Sequence, residues 1–295
     1  VIFSAPYRLD EPLAKHTTWK IGGPAKYMAF PETLDHLDEI AQFLQKTKTP
    51  YAILGNGSNL LVPDEGFDGL VIKTTRLPSF IKQLDAERVQ VSASILNAKA
   101  VRTVAELGLA GIEFLSGVPG TIGGAVIMNA GTGEGWIDQV VTEVRTYHLS
   151  EGLKEYKQDQ LRYAYRKQSY LSDREIVLEA FFQLRKDDPE AIKKRIMEGT
   201  RRRKDAQPLD LPSCGSVFRN PPGKKAWELI DQAGLRGMAK GGAQISEKHS
   251  NFIVNNGGAK MMDVIFLIRL AKEAVEHQSG IKLEEEVVSL EPRVL

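Results

Sequence analysis

A single cysteine, Cys214, stands in 295 residues. That excludes an intramolecular disulfide and any multi-thiolate zinc or iron–sulfur centre, and it suits a reducing compartment. Histidine is scarce too: His16, His36, His148, His249 and His277 are scattered, and no HExxH or similar spacing joins them to carboxylates. No metal site is expected. Charge of one sign is missing, since 39 Lys+Arg against 38 Asp+Glu leave a formal net charge of +1. Such a chain has no overall field to gather nucleic acid or an anionic membrane surface. The long uncharged stretch Phe114–Gly133 holds six glycines, Pro119, Asn129, Ser116 and two threonines, too polar for a membrane helix. Val1–Asp10 lacks the basic-then-apolar pattern of a secretory signal; a cytoplasmic chain that has lost a few leading residues is the expectation.

What remains, 42% hydrophobic and 26% charged, is the composition of a globular protein of about two domains' length. Leu34, Leu37, Ile40, Phe43 and Leu44 share a helical face, followed by strand-like Tyr51–Leu54, a Gly/Asn turn, Leu60–Val62 and Leu70–Ile72. Val89, Val91, Ala93 and Ile95 alternate, and Asn97–Leu107 reads as a helix stopped by Gly108. Val140, Thr142, Val144 and Thr146 share one strand face; Ile176, Leu178, Ala180, Phe182 and Leu184 share another. Both suit a largely antiparallel sheet. Asp188-Pro189-Glu190 opens a helix to about Lys204, and its run Arg201–Lys204 reads as a solvated helix end, ahead of the alternative that it attracts a phosphorylated ligand. After the break at Gln207-Pro208 and Leu211-Pro212 come helix Ala226–Ala233, strands Ala243–Ile245 and Phe252–Val254, helix Met261–His277 and a closing strand Glu286–Leu290.

Several segments have the chemistry of a site. In Leu54-Gly55-Asn56-Gly57-Ser58-Asn59-Leu60, glycines let backbone N–H groups approach a pyrophosphate. The same residues also suit an ordinary hairpin turn, and Leu60 breaks the dinucleotide fingerprint GxGxxG. Gly117–Ala125, followed by Asn129-Ala130-Gly131, places many bare backbone units in an apolar setting. Close contact with a flat or phosphorylated cofactor explains this better than tight strand packing. Pro212–Pro221 offers Ser216 near Arg219 and Asn220, where a turn serine is the plain alternative. Cys214 reads as a buried bystander. Tyr163–Ser169 and Leu283–Val287 are weak alone.

Taken in order, Gly55–Asn59, Pro119–Gly124, Asn129–Gly131, Tyr165-Arg166, Gly215–Pro221 and Leu283–Val287 resemble the UDP-N-acetylenolpyruvoylglucosamine reductase family. These are flavoenzymes that make UDP-N-acetylmuramate for peptidoglycan. The resemblance spans nearly the whole chain, from Thr17 to Val288. It implies an α+β fold: a two-lobed FAD-binding unit of the vanillyl-alcohol-oxidase (PCMH) type over residues 1–78 and 79–199, then a smaller α+β substrate lobe over 200–295. It implies non-covalent FAD and NADPH as co-substrate, with one cleft serving nicotinamide and sugar nucleotide in turn, so that no second dinucleotide fold is needed. A monomer acting on a small molecule is expected, with no nucleic-acid or membrane partner.

The same resemblance implies roles. Leu54, Gly55, Asn56, Gly57, Ser58, Asn59, Leu60, Pro119, Gly120, Thr121, Gly123, Gly124, Asn129 and Gly131 match the FAD-binding segments. Arg166, Ser216 and Glu286 match the catalytic arginine, proton donor and glutamate. Tyr165, Asn220, Arg219 and Gln244 would contact substrate. Glu286 would be protonated or paired with Arg166, with Glu284 and Glu285 solvated. The context of Ser213–Ser216, with no insertion between Arg166 and Pro208, resembles the loop-lacking type II subtype. Ala206 and Val288 depart from the lysine and arginine many relatives carry. An oxidase or dehydrogenase of the same fold, or a non-catalytic flavin or nucleotide-sugar binder, are the rival readings.

Overall fold

The computed structural model describes residues 3–295; Val1 and Ile2 of the N-terminal stretch lie outside the described residues. Strands Tyr7–Pro12, Pro24–Ala29, Phe67–Lys73 and Tyr51–Leu54 lie side by side in that order. The first pair is antiparallel and the other two are parallel. Helix α1, Leu34–Thr47, crosses between the second and the fourth. Its start is fixed by the Thr33 hydroxyl, which accepts from His36 N–H, and its end by Lys48 in the left-handed conformation. Leu37, Ile40 and Leu44, at the spacing of one helical face, are fully buried against this sheet.

The second sheet is antiparallel throughout, in the order Gly152–Lys157, Val141–His148, Glu175–Gln183, Arg88–Ser92, Ile81–Gln83. The expected shared face of Val140, Thr142, Val144 and Thr146 holds only in part. Register shifts between Val141 and Glu143, and between Arg145 and Thr146, break the period of two, so Val141 is buried while Val140 and Thr142 are half-buried. Helices α2 (Asn97–Glu106), α3 (Ile122–Ile127) and α4 (Pro189–Ala206) accompany this sheet. The core gathers Val89, Val91, Val101, Val104, Ile122 and Phe182. Helix α4 starts where Asp188 accepts from Ala191 N–H. It then runs unbroken to Ala206, so the boundary expected at residue 200 falls inside a helix.

Helices α5 (Ala226–Gln232) and α6 (Met261–Ser279) cover a small sheet of Ala239–Lys240, Ala243–Ile245 and Ile253–Asn255. The closing strand does not join this sheet. Val288–Ser289 pairs in parallel with Leu60–Leu61, and Arg293 bridges to Tyr51, which returns the chain end to the first sheet. Trp19 enters the third core, where its indole N–H donates to Ile253 O (2.7 Å) and its carbonyl accepts from Asn255 Nδ2 (2.9 Å). Burying one such ring is worth about 4–6 kcal/mol of gross apolar transfer, which ties the first and third regions firmly. Among the described residues no helix is long and apolar enough to cross a membrane.

Candidate active site

The three regions meet around a cavity of about 640 Å³. The segment Leu54, Gly55, Asn56, Gly57, Ser58, Asn59, Leu60 forms one wall, and Pro119, Gly120, Thr121, Gly124 and Gly131 form another. Arg166, Ser216 and Glu286 line it as well. The two Gly-rich walls are joined by Ser58 Oγ donating to Pro119 O (3.1 Å). Gly57 has φ +66°, and a Cβ there would lie 2.2 Å from His16 O. No other residue fits that turn. Thr121 caps α3 by accepting from Gly124 N–H.

Backbone pairing assembles the reactive groups. Glu286 N–H donates to Val217 O (2.7 Å) and Arg219 N–H to Glu284 O (2.9 Å), so the segment after Ser216 runs beside the one ending in Glu286. The three glutamates are thereby sorted. Glu285 pairs with Lys272 (2.9 Å) and Glu284 with Arg219 (3.6 Å), whereas Glu286 faces Arg166, with Oε1 at 2.8 Å from Nε. Asn59 Nδ2 donates to Glu286 O (3.0 Å), which links the first Gly-rich wall to this carboxylate's backbone. Arg166 sits at the turn between Tyr163–Ala164 and Lys167–Gln168 with φ +56°, a sparsely populated region for a side-chain-bearing residue.

Burial and neighbouring charge perturb the ionisable groups of the cavity. Burial raises the Glu286 carboxyl above its ordinary range, while Arg166 and Arg219 pull against that shift. Burial lowers the Arg203 guanidinium, and the like charge of Arg166 adds to this. Arg166 Nε, Arg203 Nε, Gln207 Oε1 and Asn97 Oδ1 are all buried without hydrogen-bond partners, and all four residues line the cavity. For Arg166 the N–H is not aligned on Glu286 despite the short ion pair. Unsatisfied buried polar atoms are costly. The cationic side chains and bare backbone that line this space fit a polar, partly anionic ligand such as a flavin dinucleotide.

Other expected residues lie elsewhere. Asn129 is buried outside the cavity: Nδ2 donates to Asp138 Oδ2 (3.0 Å) and Ala164 O (3.1 Å), and Oδ1 accepts from Asp138 N–H (3.0 Å). Its amide anchors the hairpin that carries Arg166. Gly123 does not line the cavity; a Cβ there would lie 3.0 Å from Ala93 Cβ. Asn220 Oδ1 accepts from Ala226 N–H (3.0 Å) at the entrance to α5. Gln244 donates to Gly237 O (3.0 Å) and accepts from Asn256 Nδ2 (2.7 Å). Half-buried Gln244 is thereby paired at both ends of its amide, whereas Asn220 is exposed and bonds through Oδ1 alone. Arg219 is half-buried beside Glu284 and does not line the cavity; Tyr165 is exposed against Trp136.

The run Arg201–Lys204 is not uniformly solvated as expected. Arg202 pairs with Glu134, and Arg203 turns into the cavity. Gly199, Arg203, Ala206 and Gln207 all line it, and their i, i+4, i+7, i+8 spacing was the signal for an inward helical face. Cys214 is buried and lines the cavity, its thiol pushed up to about 11 by burial.

Residues 25–152 match the family model of an FAD binding domain. Residues 207–290 match that of the C-terminal domain of UDP-N-acetylenolpyruvoylglucosamine reductase. A protein of that name from Carboxydothermus hydrogenoformans is 40% identical over 284 residues, covering 96% of this chain and 94% of its own. One from Geobacter sulfurreducens is 43% identical over 278 residues, covering 94% and 92%. The crystal structure of the enzyme so named from Thermus caldophilus superposes with a TM-score of 0.80 at 37% identity, over 97% of this chain and 99% of that one.

Proposed function

The chain belongs to the UDP-N-acetylenolpyruvoylglucosamine reductase family, and from that premise we propose that Arg166, Ser216 and Glu286 carry the reduction of its enolpyruvyl substrate. The enzyme is an FAD-containing oxidoreductase that converts UDP-N-acetylglucosamine enolpyruvate to UDP-N-acetylmuramate in peptidoglycan synthesis, with NADPH as reductant. Its fold is the α+β arrangement of a two-lobed FAD-binding unit with a smaller third lobe. We place the lobe boundaries near residue 78 and, because α4 is continuous, after Ala206.

Leu54–Leu60 and Pro119–Gly124 would hold FAD through backbone N–H groups, with Asn97, Arg203 and Gln207 supplying the polar atoms now unpartnered. FAD, when bound, supplies the hydride chemistry between NADPH and the enolpyruvyl carbon. The chain's own residues manage charge and proton. Addition of hydride to the methylene carbon puts negative charge on the neighbouring carbon and carboxylate. Arg166, fixed and partly desolvated, stabilises that charge in the low-dielectric cavity. Ser216 donates the proton that completes the product, a transfer open to a weak acid because the enolate is strongly basic. Glu286 pairs with Arg166 in the ligand-free protein; beside the developing enolate an ionised carboxylate would be repelled, so burial that raises it favours the protonated form in the complex.

The observation that carries this reading is the meeting of Arg166, Ser216 and Glu286 in one cavity with both Gly-rich walls. That cavity is completed by one chain, which supports a monomer, and we read its setting as cytoplasmic. The stretch from Arg166 to Pro208 is taken up by Glu175–Gln183 and α4, which supports the loop-lacking subtype. Ser216→Ala provides the test, followed as anaerobic flavin absorbance. NADPH should bleach the variant normally, and UDP-N-acetylglucosamine enolpyruvate should then restore the oxidised colour at least a hundredfold more slowly than in wild type, on the order of general-acid contributions. Restoration at the wild-type rate would remove Ser216 from the mechanism.

A further inference from the structure

Arg166 is held in a setting that does not by itself fix it. Arg203 shares the cavity as a second cation, and the pair with Glu286 leaves the Nε–H unaligned. The short ion pair sets the distance of the guanidinium from one side, and a flat contact is what would set its plane. Trp136 supplies what is missing. The Arg166 guanidinium carbon lies 4.9 Å from an indole ring centroid and 5.5 Å from that of Tyr165. The two rings meet edge to face at 5.5 Å and 69°. An aromatic face attracts a cation through its quadrupole and gives a planar guanidinium a flat seat.

The indole is itself seated. A Cβ on Gly131 would fall 2.4 Å from Gly135 O, 2.5 Å from Trp136 Cε3 and 2.6 Å from Cδ2, so the ring lies directly on bare backbone at a point where the facing strand also comes close. Trp136 N–H donates to Gln139 Oε1 (3.2 Å), which fixes the chain at that point. Gly131, expected to serve the cofactor, has a second reason to be glycine. We propose that Trp136 is a positioning residue for the reduction, orienting Arg166 and stabilising its charge, and that Gly131 makes room for it.

The inference rests on the role given to Arg166 above, and the experiment separates the two. Trp136→Leu, Trp136→Phe and Arg166→Gln are prepared with FAD bound, and both half-reactions are followed anaerobically. Trp136→Leu should slow flavin reoxidation by the enolpyruvyl substrate about 5- to 30-fold, the range of a desolvated cation–π contact. Its KM for that substrate and its NADPH step should stay within about twofold of wild type. Trp136→Phe, which keeps a π face, should recover most of the rate. In spectra of 15N-arginine-labelled protein, the Arg166 Nε resonance should move most in the leucine variant, which leaves only the Tyr165 ring beside it, and less in the phenylalanine variant. Trp136→Met, which keeps bulk without a π face, should reproduce the leucine signature if Trp136→Leu folds poorly. Equal rates for the leucine and phenylalanine variants, with Arg166→Gln severely slowed, would overturn the Trp136 inference alone. A wild-type rate in Arg166→Gln would overturn the Arg166 reading and this one with it.

Discussion

Arg203 offers the sharpest perturbation, because its removal should move stability and ligand affinity in opposite directions. Its guanidinium is buried, its Nε has no partner, and both burial and the charge of Arg166 disfavour its charged form. A buried charge left uncompensated is a liability of up to about 3–5 kcal/mol when fully desolvated. Arg203→Met keeps the length of the side chain and removes the charge. With its head in the cavity the side chain is not fully desolvated, so we expect FAD-free protein to gain about 1–3 kcal/mol. That corresponds to a Tm roughly 2–6 °C higher. The same change removes charge-assisted hydrogen bonds to the cofactor worth about 1.5–3 kcal/mol, so the Kd for FAD should rise about 10- to 150-fold. Thermal unfolding of FAD-free protein and titration of flavin fluorescence give the two numbers. A variant that is less stable without FAD and binds it as tightly as wild type would refute the reasoning, since Arg203 would then be a structural arginine.

Three further outcomes follow from the titrating groups. Glu286→Gln, which stays neutral, should flatten the pH profile of reoxidation by the enolpyruvyl substrate: in wild type the rate should fall as pH rises through the raised Glu286 value, where the ionised form appears. Unchanged turnover with an unchanged profile would remove Glu286 from the step. Cys214, pushed up to about 11, should react with iodoacetamide at pH 8 roughly two orders of magnitude more slowly in native protein than in denatured protein; a rate within tenfold would show the thiol is accessible. Lys73, buried and lowered to about 8, binds its proton more weakly folded than unfolded, so stability should rise with pH between about 8 and 10.5. Lys73→Met should therefore stabilise at pH 7 by up to about 3 kcal/mol, with the gain vanishing near pH 10.5. A gain independent of pH would point to packing instead.

Helices with a clear apolar face were legible in the sequence. Leu37, Ile40 and Leu44 are buried as their spacing implies, and Asn97–Leu107 ends at Gly108, whose φ is +69°. Such patterns are local, so no tertiary knowledge is needed to read them. The bulges around Glu143 were not legible, because an inserted residue looks like a lapse in alternation until the partner strand is known. Amides were the hardest to read: Asn129 and Gln244 looked like ligand groups and bond at both ends inside the protein, whereas exposed Asn220 engages only its Oδ1. Composition cannot tell an amide that binds a ligand from one that ties a hairpin. Arg203 was hidden by its neighbours in a basic run, although the helical face it shares with Gly199 and Gln207 was readable.

The placement of Glu286 shows why the site depends on parts of the chain far from it. Three consecutive glutamates alternate along an extended segment, so a slip of one residue would present Glu285 or Val287 to Arg166 in its place. Short pairings to the segment after Ser216 resist that slip poorly by themselves. The register is held from outside by Asn59 on the Glu286 carbonyl, by the parallel pairing of Val288–Ser289 with Leu60–Leu61, and by the bridge between Arg293 and Tyr51. Each of those anchors belongs to the first lobe, and Asn59 and Leu60 belong to the wall that would hold the flavin. The segment proposed to hold the cofactor thus also fixes which carboxylate meets Arg166. The return of the chain end to the first lobe therefore shapes the candidate site.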